Sequence, residues 1–412
     1  MHDHNPAHLA AARAATAQTE LTDFWSRILL RRLARIAHGR LSLVTPDGAV
    51  LAFGAAGSEP AVSLAIHHPR VAKRLVFGGT IGFAEAYMDG DWDCPDLVGL
   101  VRLAALNERA LGLDSDGSLV VRALERLRHA LHRNTRRGSQ RNIAYHYDLG
   151  NAFYALWLDP GMTYSSALFE DARETLETAQ QRKYAHVAEL LELRPGQRVL
   201  EIGCGWGGFA EEAAGAHRCR VVGLTLSRAQ RDYAEARIAG AGLAHEVEIR
   251  LEDYRDTAGS YDRIASIEMI EAVGHEHWPL YFARLRQLLR PGGIAVLQAI
   301  TIADGRFESY RRCPDFIQRY IFPGGMLPAP GILRREAERA GFALVEGPCF
   351  AESYAWTLAA WQERFQASWP RIAALGFDRR FKRMWEYYLA YCEAGFRSRL
   401  LDVGLYRLER LG

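Results

Sequence analysis

The chain has 412 residues, of which 49% are hydrophobic, and its 51 basic and 49 acidic side chains leave a formal charge of +2. This length exceeds what one hydrophobic core usually spans, so we expect more than one domain. The near-neutral balance excludes a uniformly basic nucleic-acid-binding protein, and we expect no nucleic-acid partner. No run approaches the roughly 20 apolar residues of a membrane span, and the N-terminus lacks a signal-peptide pattern. We therefore expect a cytoplasmic protein whose membrane contact, where it occurs, is made from its surface.

Near the N-terminus, short alternating apolar runs predict a small α+β unit between residues 21 and 106. Strands are predicted at Arg40–Val44, Val50–Phe53 and Arg74–Phe77, followed by a glycine-punctuated stretch, Gly78–Trp92. We expect a small N-terminal domain over residues 1–118, for which association with lipid is one role to test.

The next segment, residues 119–142, has apolar residues at helical spacing and predicts a linker helix with a basic face. Seven arginines crowd the rest of it: Arg122, Arg126, Arg128, Arg133, Arg136, Arg137 and Arg141. Such a face attracts anionic lipid headgroups by about 1 kcal/mol per cation, although a solvated helix surface has the same composition. Residues 143–412 are expected to form the catalytic domain.

From residue 199 onward, short buried strands alternate with helical patterns, which predicts a doubly wound, Rossmann-like parallel sheet of the α/β class. Helices are predicted from about Gly208, Ser227 and Trp278, and Pro291–Gly293 predicts a turn before the last strand. The predicted strands are Val199–Ile202, Arg220–Leu224, Glu246–Leu251, Tyr261–Ile267 and Gly293–Ile300.

A glycine-rich turn follows the first of these strands within Val199–Gly208. Ligands of such sheets bind beyond the carboxyl ends of the strands, so Gly203 and Gly205 are candidate cofactor contacts. The run also matches GxGxxG, which is typical of dinucleotide sites. The next strand, however, ends in Gly223–Ser227 without the ribose-binding acid of those sites. This difference favours S-adenosylmethionine (SAM) as the cofactor.

The following strand ends supply further candidate SAM contacts. Thr225, Leu226 and Gln230 are expected on the ribose and methionine side of the pocket. Glu252 and Asp253 stand where an acidic side chain can accept the hydrogens of the adenine amino group. Each could instead cap a helix or lie at the surface.

The six cysteines are dispersed, without CxxC pairs or zinc-ligand spacing, so we expect reduced, mostly buried thiols and no metal site. They are Cys94, Cys204, Cys219, Cys313, Cys349 and Cys392.

Many ordered motifs together resemble the cyclopropane-fatty-acyl-phospholipid synthase family, which includes the mycolic acid methyltransferases. The resemblance covers nearly the whole chain and implies a class I SAM-dependent methyltransferase domain with a helical lipid-binding cover, behind a small N-terminal domain. The motifs lie at Gly78–Trp92, Ala144–Phe169, Leu200–Gly208, Val221–Gln230, Glu252–Asp256, Ser266–Gly274, Phe316–Gly325, Tyr354–Phe365 and Phe381–Arg397.

The resemblance implies transfer of a one-carbon unit from SAM to the cis double bond of unsaturated fatty acyl chains of phospholipids, at the inner membrane surface. Methyl transfer to an alkene leaves a carbocation, which requires a dry pocket and aligned reactants. Aromatic walls are expected from Tyr145–Tyr164 and Tyr310–Phe322, although any single aromatic could be core. Tyr164 and Ser165 match the family's contact to the SAM carboxylate.

The resemblance also implies a bound bicarbonate as the base that takes a proton from the cation. Glu271 matches the family's glutamate, Tyr354 its tyrosine and Ile300 its backbone contact. Ser166 stands where the family has cysteine, and Gln298 where it has histidine. Serine and glutamine still donate hydrogen bonds to an anion, but the imidazole is lost.

A second acid, Glu268, precedes Glu271 by three residues, and we favour Glu271 as the functional one. The first expected product is a cyclopropane fatty acyl chain. The alternative is a methylated or methylene-branched olefin without ring closure, which a partner reductase could reduce. A homodimer is a further expectation. Rival functions are a small-molecule methyltransferase and a non-catalytic lipid-binding protein.

Overall fold

The computed structural model describes Leu21 and residues 23–112 and 149–411. They belong to two compact units. The linker helix predicted over residues 119–142 lies outside the described residues. The first unit contains the described residues up to 112 together with Phe377–Ser398. The second contains the described residues from 149 to Gly376 and those from Arg399 onward.

The described residues contain fifteen α-helices, besides two 3-10 turns at Ile270–Ala272 and His275–His277. In chain order the helices are α1 Phe24–Leu33, α2 Arg70–Met88, α3 Leu97–Leu106, α4 Glu108–Leu111, α5 Asn151–Tyr154, α6 Leu176–Leu190, α7 Gly208–Gly215, α8 Arg228–Gly240, α9 Trp278–Leu288, α10 Asp304–Arg312, α11 Phe316–Tyr320, α12 Pro330–Arg339, α13 Ala351–Ala367, α14 Trp369–Ala374 and α15 Arg379–Arg397.

The described residues contain eleven strands in two sheets. They are β1 Arg40–Val44, β2 Val50–Gly54, β3 Ala61–Ile66, β4 Trp92–Asp93, β5 Arg198–Ile202, β6 Arg220–Thr225, β7 Val247–Leu251, β8 Tyr261–Ile267, β9 Leu289–Ile302, β10 Phe342–Cys349 and β11 Leu401–Arg410.

The first unit contains a four-stranded sheet in the order β2-β1-β3-β4. The predicted strands at β1 and β2 are confirmed and pair antiparallel. The strand predicted at Arg74–Phe77 is wrong, because these residues lie within helix α2. A short apolar run fits a buried strand and a helix face equally well, and periodicity alone does not separate them. Gly79, at φ 57° and ψ −147°, interrupts α2 just after this run.

Helix α15 belongs to the first unit, although the sequence analysis counted it in the catalytic segment. Its Arg383 is 7% exposed and donates hydrogen bonds to the carbonyl oxygens of Tyr87 and Trp92, the latter at 2.6 Å. The same guanidinium forms an ion pair with Asp93 at 2.7 Å. A buried cation is tolerated only with such partners, so Arg383 fixes α15 against the end of the small sheet.

The second unit contains a seven-stranded sheet in the order β10-β11-β9-β8-β5-β6-β7. The five strands from β9 to β7 are parallel, which confirms the predicted α/β fold. Strands β10 and β11 extend the sheet in antiparallel fashion and were not predicted. Strand β10 lies at the edge of the sheet and is largely exposed, whereas β11 lies between β10 and β9 and buries its central residues.

The strand order places a topological switch point at β5. The chain passes from β5 to β6 and β7 on one side, then returns to β8 on the other. Ligands of doubly wound sheets bind outside the carboxyl ends of the strands at such a point. Pro291–Gly293 lies inside β9 as the structure defines it, at an irregularity where the pairing jumps from Tyr261↔Leu289 to Arg263↔Ile294.

All six cysteines are free; Cys94, Cys204 and Cys219 are buried, and Cys313 and Cys349 are exposed. The expectation that most would be buried therefore holds for only half of them. Across the residues that the structure describes, no helix has the length and apolar character needed to cross a membrane.

Candidate active site

The predicted glycine turn leaves β5 in a conformation that favours glycine. Gly203 has φ 85° and Gly205 has φ 52°, both in the left-handed region. The backbone N–H groups of Gly203 and Cys204 donate to the carbonyl oxygen of Leu224 on β6, at 3.0 and 2.9 Å. A Cβ at Gly203 would lie 2.9 Å from Cγ of Met269, whereas one at Gly205 would meet nothing within 4 Å. The turn is therefore fixed to the neighbouring strand and leaves open space beside Gly205.

That space is part of a pocket at the carboxyl ends of β5, β6, β7 and β8. All nine residues predicted to bind the cofactor line it: Tyr164, Ser165, Gly203, Gly205, Thr225, Leu226, Gln230, Glu252 and Asp253.

On the β6 side, the pocket wall is held by hydrogen bonds that also fix the start of helix α8. The hydroxyl of Thr225 donates to Oε1 of Gln230 at 2.9 Å and accepts from the N–H of Ser227 at 3.1 Å. The Ser227 side chain in turn caps α8 by accepting from the N–H of Gln230. These contacts place polar atoms where a ribose or methionine moiety could bind.

The two acids after β7 differ in their availability to a ligand. The carboxylate of Asp253 forms a buried ion pair with Arg255 at 2.6 Å and also accepts from that residue's N–H at 2.9 Å. The carboxylate of Glu252 lies 3.8 Å from the nearest guanidinium nitrogen of Arg250. Glu252 therefore has more capacity to accept hydrogen bonds from an adenine amino group.

Opposite the glycine turn, Ser165 is held by side chains from α6. Lys183, which is fully buried, donates to Oγ of Ser165 at 2.7 Å, and Gln180 donates to its carbonyl oxygen at 2.8 Å. Burial lowers the pKa of Lys183 to about 8, against the charges of nearby carboxylates that raise it. Lys183 was not predicted as a site residue, since a lone lysine within a helix carries no sequence signal.

Another unpredicted acid lies on β5 itself. Glu201 lines the pocket and is 3% exposed, and its Oε2 has no hydrogen-bond partner. Burial raises its pKa to about 8, with Lys183 opposing the shift. A buried acid inside an apolar strand was the available sequence signal. A cationic ligand in the pocket would stabilise its ionised form.

Five aromatic side chains pack beside the pocket, and we call them the aromatic cluster: Tyr154, Trp157, Tyr164, Trp206 and Trp361. Tyr164 lies 5.3 Å from Trp361 and Tyr154 lies 5.1 Å from Trp206, measured between ring centroids. Tyr164 and Trp206 also line the pocket. Tyr154, Trp157 and Tyr164 belong to the aromatic wall predicted at Tyr145–Tyr164, of which Tyr145 lies outside the described residues. Trp206 and Trp361 were not predicted as part of this wall.

The remaining predicted residues surround Glu268 and Glu271, which we call the acid pair. Oε1 of Glu268 accepts from the N–H of Ser166 and from Nε2 of Gln298, both at 2.8 Å. Its Oε2 accepts from the hydroxyl of Tyr354 at 2.7 Å. Three of the predicted catalytic residues therefore converge on Glu268, the acid that the sequence analysis did not favour.

Glu271 has fewer partners. Its Oε1 accepts from the N–H of Ile300 at 2.6 Å, and its buried Oε2 has none. The side-chain hydroxyl of Ser166 donates to the carbonyl oxygen of Ala167 at 2.9 Å and not to either acid. The other four predicted residues are thus divided between two carboxylates, three at Glu268 and Ile300 at Glu271.

Burial raises the pKa of both members of the acid pair. The negative charge of Glu268 is the second cause at Glu271, whereas three hydrogen bonds and the charge of Lys183 limit the shift at Glu268. Two carboxylates at one site rarely ionise together. Glu268, with more donors, is the one whose ionised form is better stabilised.

The glycine turn, the ribose-side polar residues and Glu252, arranged at the switch point of this sheet, define a class I SAM-dependent methyltransferase. The family model of mycolic acid cyclopropane synthetases matches residues 134–405, and the chain belongs to this family.

Relatives in two bacteria cover most of the chain. It is 43% identical to the tuberculostearic acid methyltransferase UfaA1 of Mycobacterium tuberculosis, over 98% of this chain and 93% of the relative. It is 38% identical to the cyclopropane-fatty-acyl-phospholipid synthase of Escherichia coli K12, over 85% of this chain and 88% of the relative.

Among solved structures, the mycolic acid cyclopropane synthase CmaA1 complexed with SAH and CTAB is similar, with 31% identity and a TM-score of 0.62. The match covers 66% of this chain and 98% of that one. Together these comparisons make this chain a SAM-dependent enzyme of a family that modifies lipid chains.

Proposed function

We propose that the protein transfers the methyl carbon of SAM to the cis double bond of an unsaturated fatty acyl chain in a phospholipid. The observation that carries this proposal is the aromatic cluster, two of whose members, Tyr164 and Trp206, line the SAM pocket. Aromatic faces attract cations while excluding water. They suit a reaction that passes through a carbocation on a hydrocarbon chain.

The proposed chemistry balances without a further oxidant or reductant. The π electrons of the alkene form the new C–C bond to the methyl carbon as its bond to sulfur breaks, and neutral S-adenosylhomocysteine leaves. The positive charge moves to the other alkene carbon. Loss of a proton from the new methyl group closes a cyclopropane ring. If a hydride first shifts to the cationic carbon, loss of a methyl proton gives a methylene branch instead.

We propose the methylene-branched olefin as the product, with the cyclopropane as second candidate. The similarity to a tuberculostearic acid methyltransferase extends over nearly the whole chain and favours the open-chain product. The cyclopropane, which was the first expectation from the sequence, is supported by the similarity to the Escherichia coli synthase. A separate reductase would convert the branched olefin into a saturated methyl branch.

The substrate implies a peripheral position at the inner membrane surface, from which an acyl chain can enter the pocket. The basic segment 119–142 is the proposed contact with anionic headgroups. Removing it should weaken binding to anionic phospholipid vesicles while leaving SAM affinity unchanged. Equal vesicle binding with and without the segment would remove it from this role.

The base that accepts the proton has two candidates in this site. One is a bicarbonate, which the family resemblance implies and which Ser166, Gln298, Tyr354 and Glu271 would hold. The other is a carboxylate of the chain itself.

The function is tested by expressing the protein in a bacterium without enzymes of this family and analysing its fatty acid methyl esters by mass spectrometry. Both products add 14 mass units. A ring removes the olefin, whereas a methylene branch retains one and is reduced by hydrogenation to a methyl branch. No mass change in the lipids, with SAM consumed on a soluble acceptor, would contradict the proposal and favour a small-molecule methyltransferase.

A further inference from the structure

We propose that Glu268 is the proton acceptor of this enzyme, in the place that an exogenous bicarbonate would occupy. The inference rests on the proposed function, since it concerns the second half of the same reaction. It is carried by the hydrogen bonds of the acid pair and by the position of Glu268 in the SAM pocket.

The donors that could hold a small anion are already used by this carboxylate. The N–H of Ser166, the amide of Gln298 and the hydroxyl of Tyr354 all bond to Glu268, at 2.7 to 2.8 Å. A carboxylate and a bicarbonate present the same planar O–C–O group to such donors. With Glu268 in this position, the three donors already bind a carboxylate of the chain itself. A bicarbonate from solution is therefore not required.

The second hydrogen of the Gln298 amide is also used. Nε2 of Gln298 donates to the carbonyl oxygen of Ser166 at 3.2 Å as well as to Glu268. Both acceptors therefore fix the amide with its nitrogen toward Glu268. An uncharged glutamine cannot relay a proton as an imidazole can, so the carboxylate itself must accept it.

The backbone holds Glu268 toward the pocket. It follows the last residue of β8 with φ 48°, in the left-handed region, and its N–H donates to the carbonyl oxygen of Gln298 at 2.8 Å. A non-glycine residue in this conformation is strained and persists where its surroundings determine it. Glu268 lines the same pocket as Gly203 and Ser165.

The two acids are not equivalent in this role. Glu271 accepts one hydrogen bond, from Ile300, and does not line the pocket, whereas Glu268 accepts three and does. The ionised form of Glu268 is thus the better stabilised one, and it faces the space where the reacting carbons would lie. Glu271 keeps Ile300, and with it β9, in position.

In the proposed step, Oε of Glu268 forms a bond to a proton of the newly transferred methyl group, either directly or after the hydride shift. The electrons of the breaking C–H bond form the new ring bond or the new double bond, and the cation is neutralised. Glu268 becomes a neutral acid and returns the proton to water when the product leaves. A C–H bond whose electrons can neutralise a nearby carbocation is so acidic that an ordinary carboxylate suffices.

The test compares wild type with Glu268→Gln and Glu268→Gly, using SAM and vesicles of dioleoyl phosphatidylglycerol in buffers purged of carbon dioxide. Glycine suits the left-handed backbone and opens the anion position to solutes. Glu276→Gln, an exposed acid on the neighbouring 3-10 turn, is the matched control. SAM affinity is measured for each protein, and variants that bind SAM within threefold of wild type count as folded.

We expect wild type and Glu276→Gln to work equally well with and without added bicarbonate. Glu268→Gln should lose about 10²- to 10⁴-fold in turnover, the usual contribution of a general base. Glu268→Gly should lose as much and recover at least tenfold with bicarbonate or formate. A merely structural Glu268 would not give rescue by small anions.

The proposal is overturned if wild type stops without bicarbonate, or if Glu268→Gln keeps more than a tenth of wild-type turnover. A Glu268→Gly variant that binds SAM but is not rescued by either anion also overturns it. Failure of the underlying function has a different result: wild type then binds SAM but releases no S-adenosylhomocysteine with unsaturated vesicles.

Discussion

The end of the pocket suited to SAM consists mainly of backbone and strand-end residues, whereas the acid pair is surrounded by groups from distant segments. Gly203, Gly205 and Thr225 lie within one β-α-β unit. The donors to Glu268 come from residues 102 and 86 positions away, Ser166 and Tyr354. The first arrangement is typical of many methyltransferases, while the second defines what this enzyme does with the cation. Changes at the two ends should therefore affect different steps.

The largest effect is expected from Gly205→Leu at the SAM end. The new side chain finds open space in the protein, so its cost to the fold is limited to the strain of a left-handed backbone, but that space is where SAM would lie. We expect SAM affinity to fall at least about 100-fold, or about 2.8 kcal/mol, by calorimetry. Gly242→Leu, just after α8, is the control, since Gly242 also has a left-handed backbone (φ 74°) and nothing within 4 Å of an added Cβ. Unchanged SAM affinity in Gly205→Leu would remove the glycine turn from the site.

Tyr354→Phe should affect the acid pair and leave the SAM end of the pocket unchanged. The change removes one donor to the Glu268 carboxylate, and a hydrogen bond to a charged group contributes about 1.5–3 kcal/mol. We expect turnover to fall about 10- to 100-fold, with SAM affinity unchanged and Tyr233→Phe on α8 as control. A loss of SAM affinity equal to the loss of turnover would show that the two ends are not separable.

The same variant should alter the pH profile. Glu268 accepts a proton only when ionised, so turnover rises as pH rises through its pKa, which burial holds above the ordinary value. Without the Tyr354 donor the ionised form is less stable, and the rise should move to higher pH. Lys183, Glu271 and Glu201 also face this region, so the comparison is made between Tyr354→Phe and wild type. An unchanged pH profile of turnover would show that Tyr354 does not affect the pKa of Glu268.

A smaller effect concerns the pH dependence of SAM binding. Glu201, with a pKa raised to about 8, is protonated at lower pH, and its ionised form attracts a cationic ligand. Affinity should therefore rise with pH, at most tenfold per unit below pH 8, and level off above it. Lys183 loses its charge over the same range and acts in the same direction, so Glu201→Gln separates the two. If SAM affinity rises equally steeply with pH in Glu201→Gln and wild type, ionisation of Glu201 is not the cause of the pH dependence.

The smallest change is expected from Glu252→Gln. Losing one charged acceptor for the adenine amino group should weaken SAM binding about 3- to 10-fold. A SAM analogue lacking that amino group should bind both proteins equally. Glu248→Gln, an exposed acid paired with Arg250 on β7, is the control. If the analogue still distinguishes Glu252→Gln from wild type, the acid acts elsewhere in the pocket.

The SAM end of the pocket could be predicted from the sequence, whereas the arrangement of the acid pair could not. All nine predicted SAM contacts line one pocket, because strand ends of a parallel sheet meet at one edge whatever their side chains. The preference for Glu271 came from a resemblance between sequences, which shows which residues correspond but not which donors they meet. Three residues separate Glu268 from Glu271, and only the left-handed backbone at Glu268 turns that side chain toward Gln298 and Tyr354.

The sequence by itself determined the parallel strands, the glycine turn and the choice of SAM, because these depend on local periodicity and on residues close in the chain. Only the tertiary structure decided that α15 joins the first unit, that β10 and β11 complete the sheet, and that Glu268 receives the hydrogen bonds. Each of these depends on contacts between segments far apart in sequence. Such contacts are selected by packing and by the need of buried polar groups for partners, and neither leaves a periodic pattern in the chain.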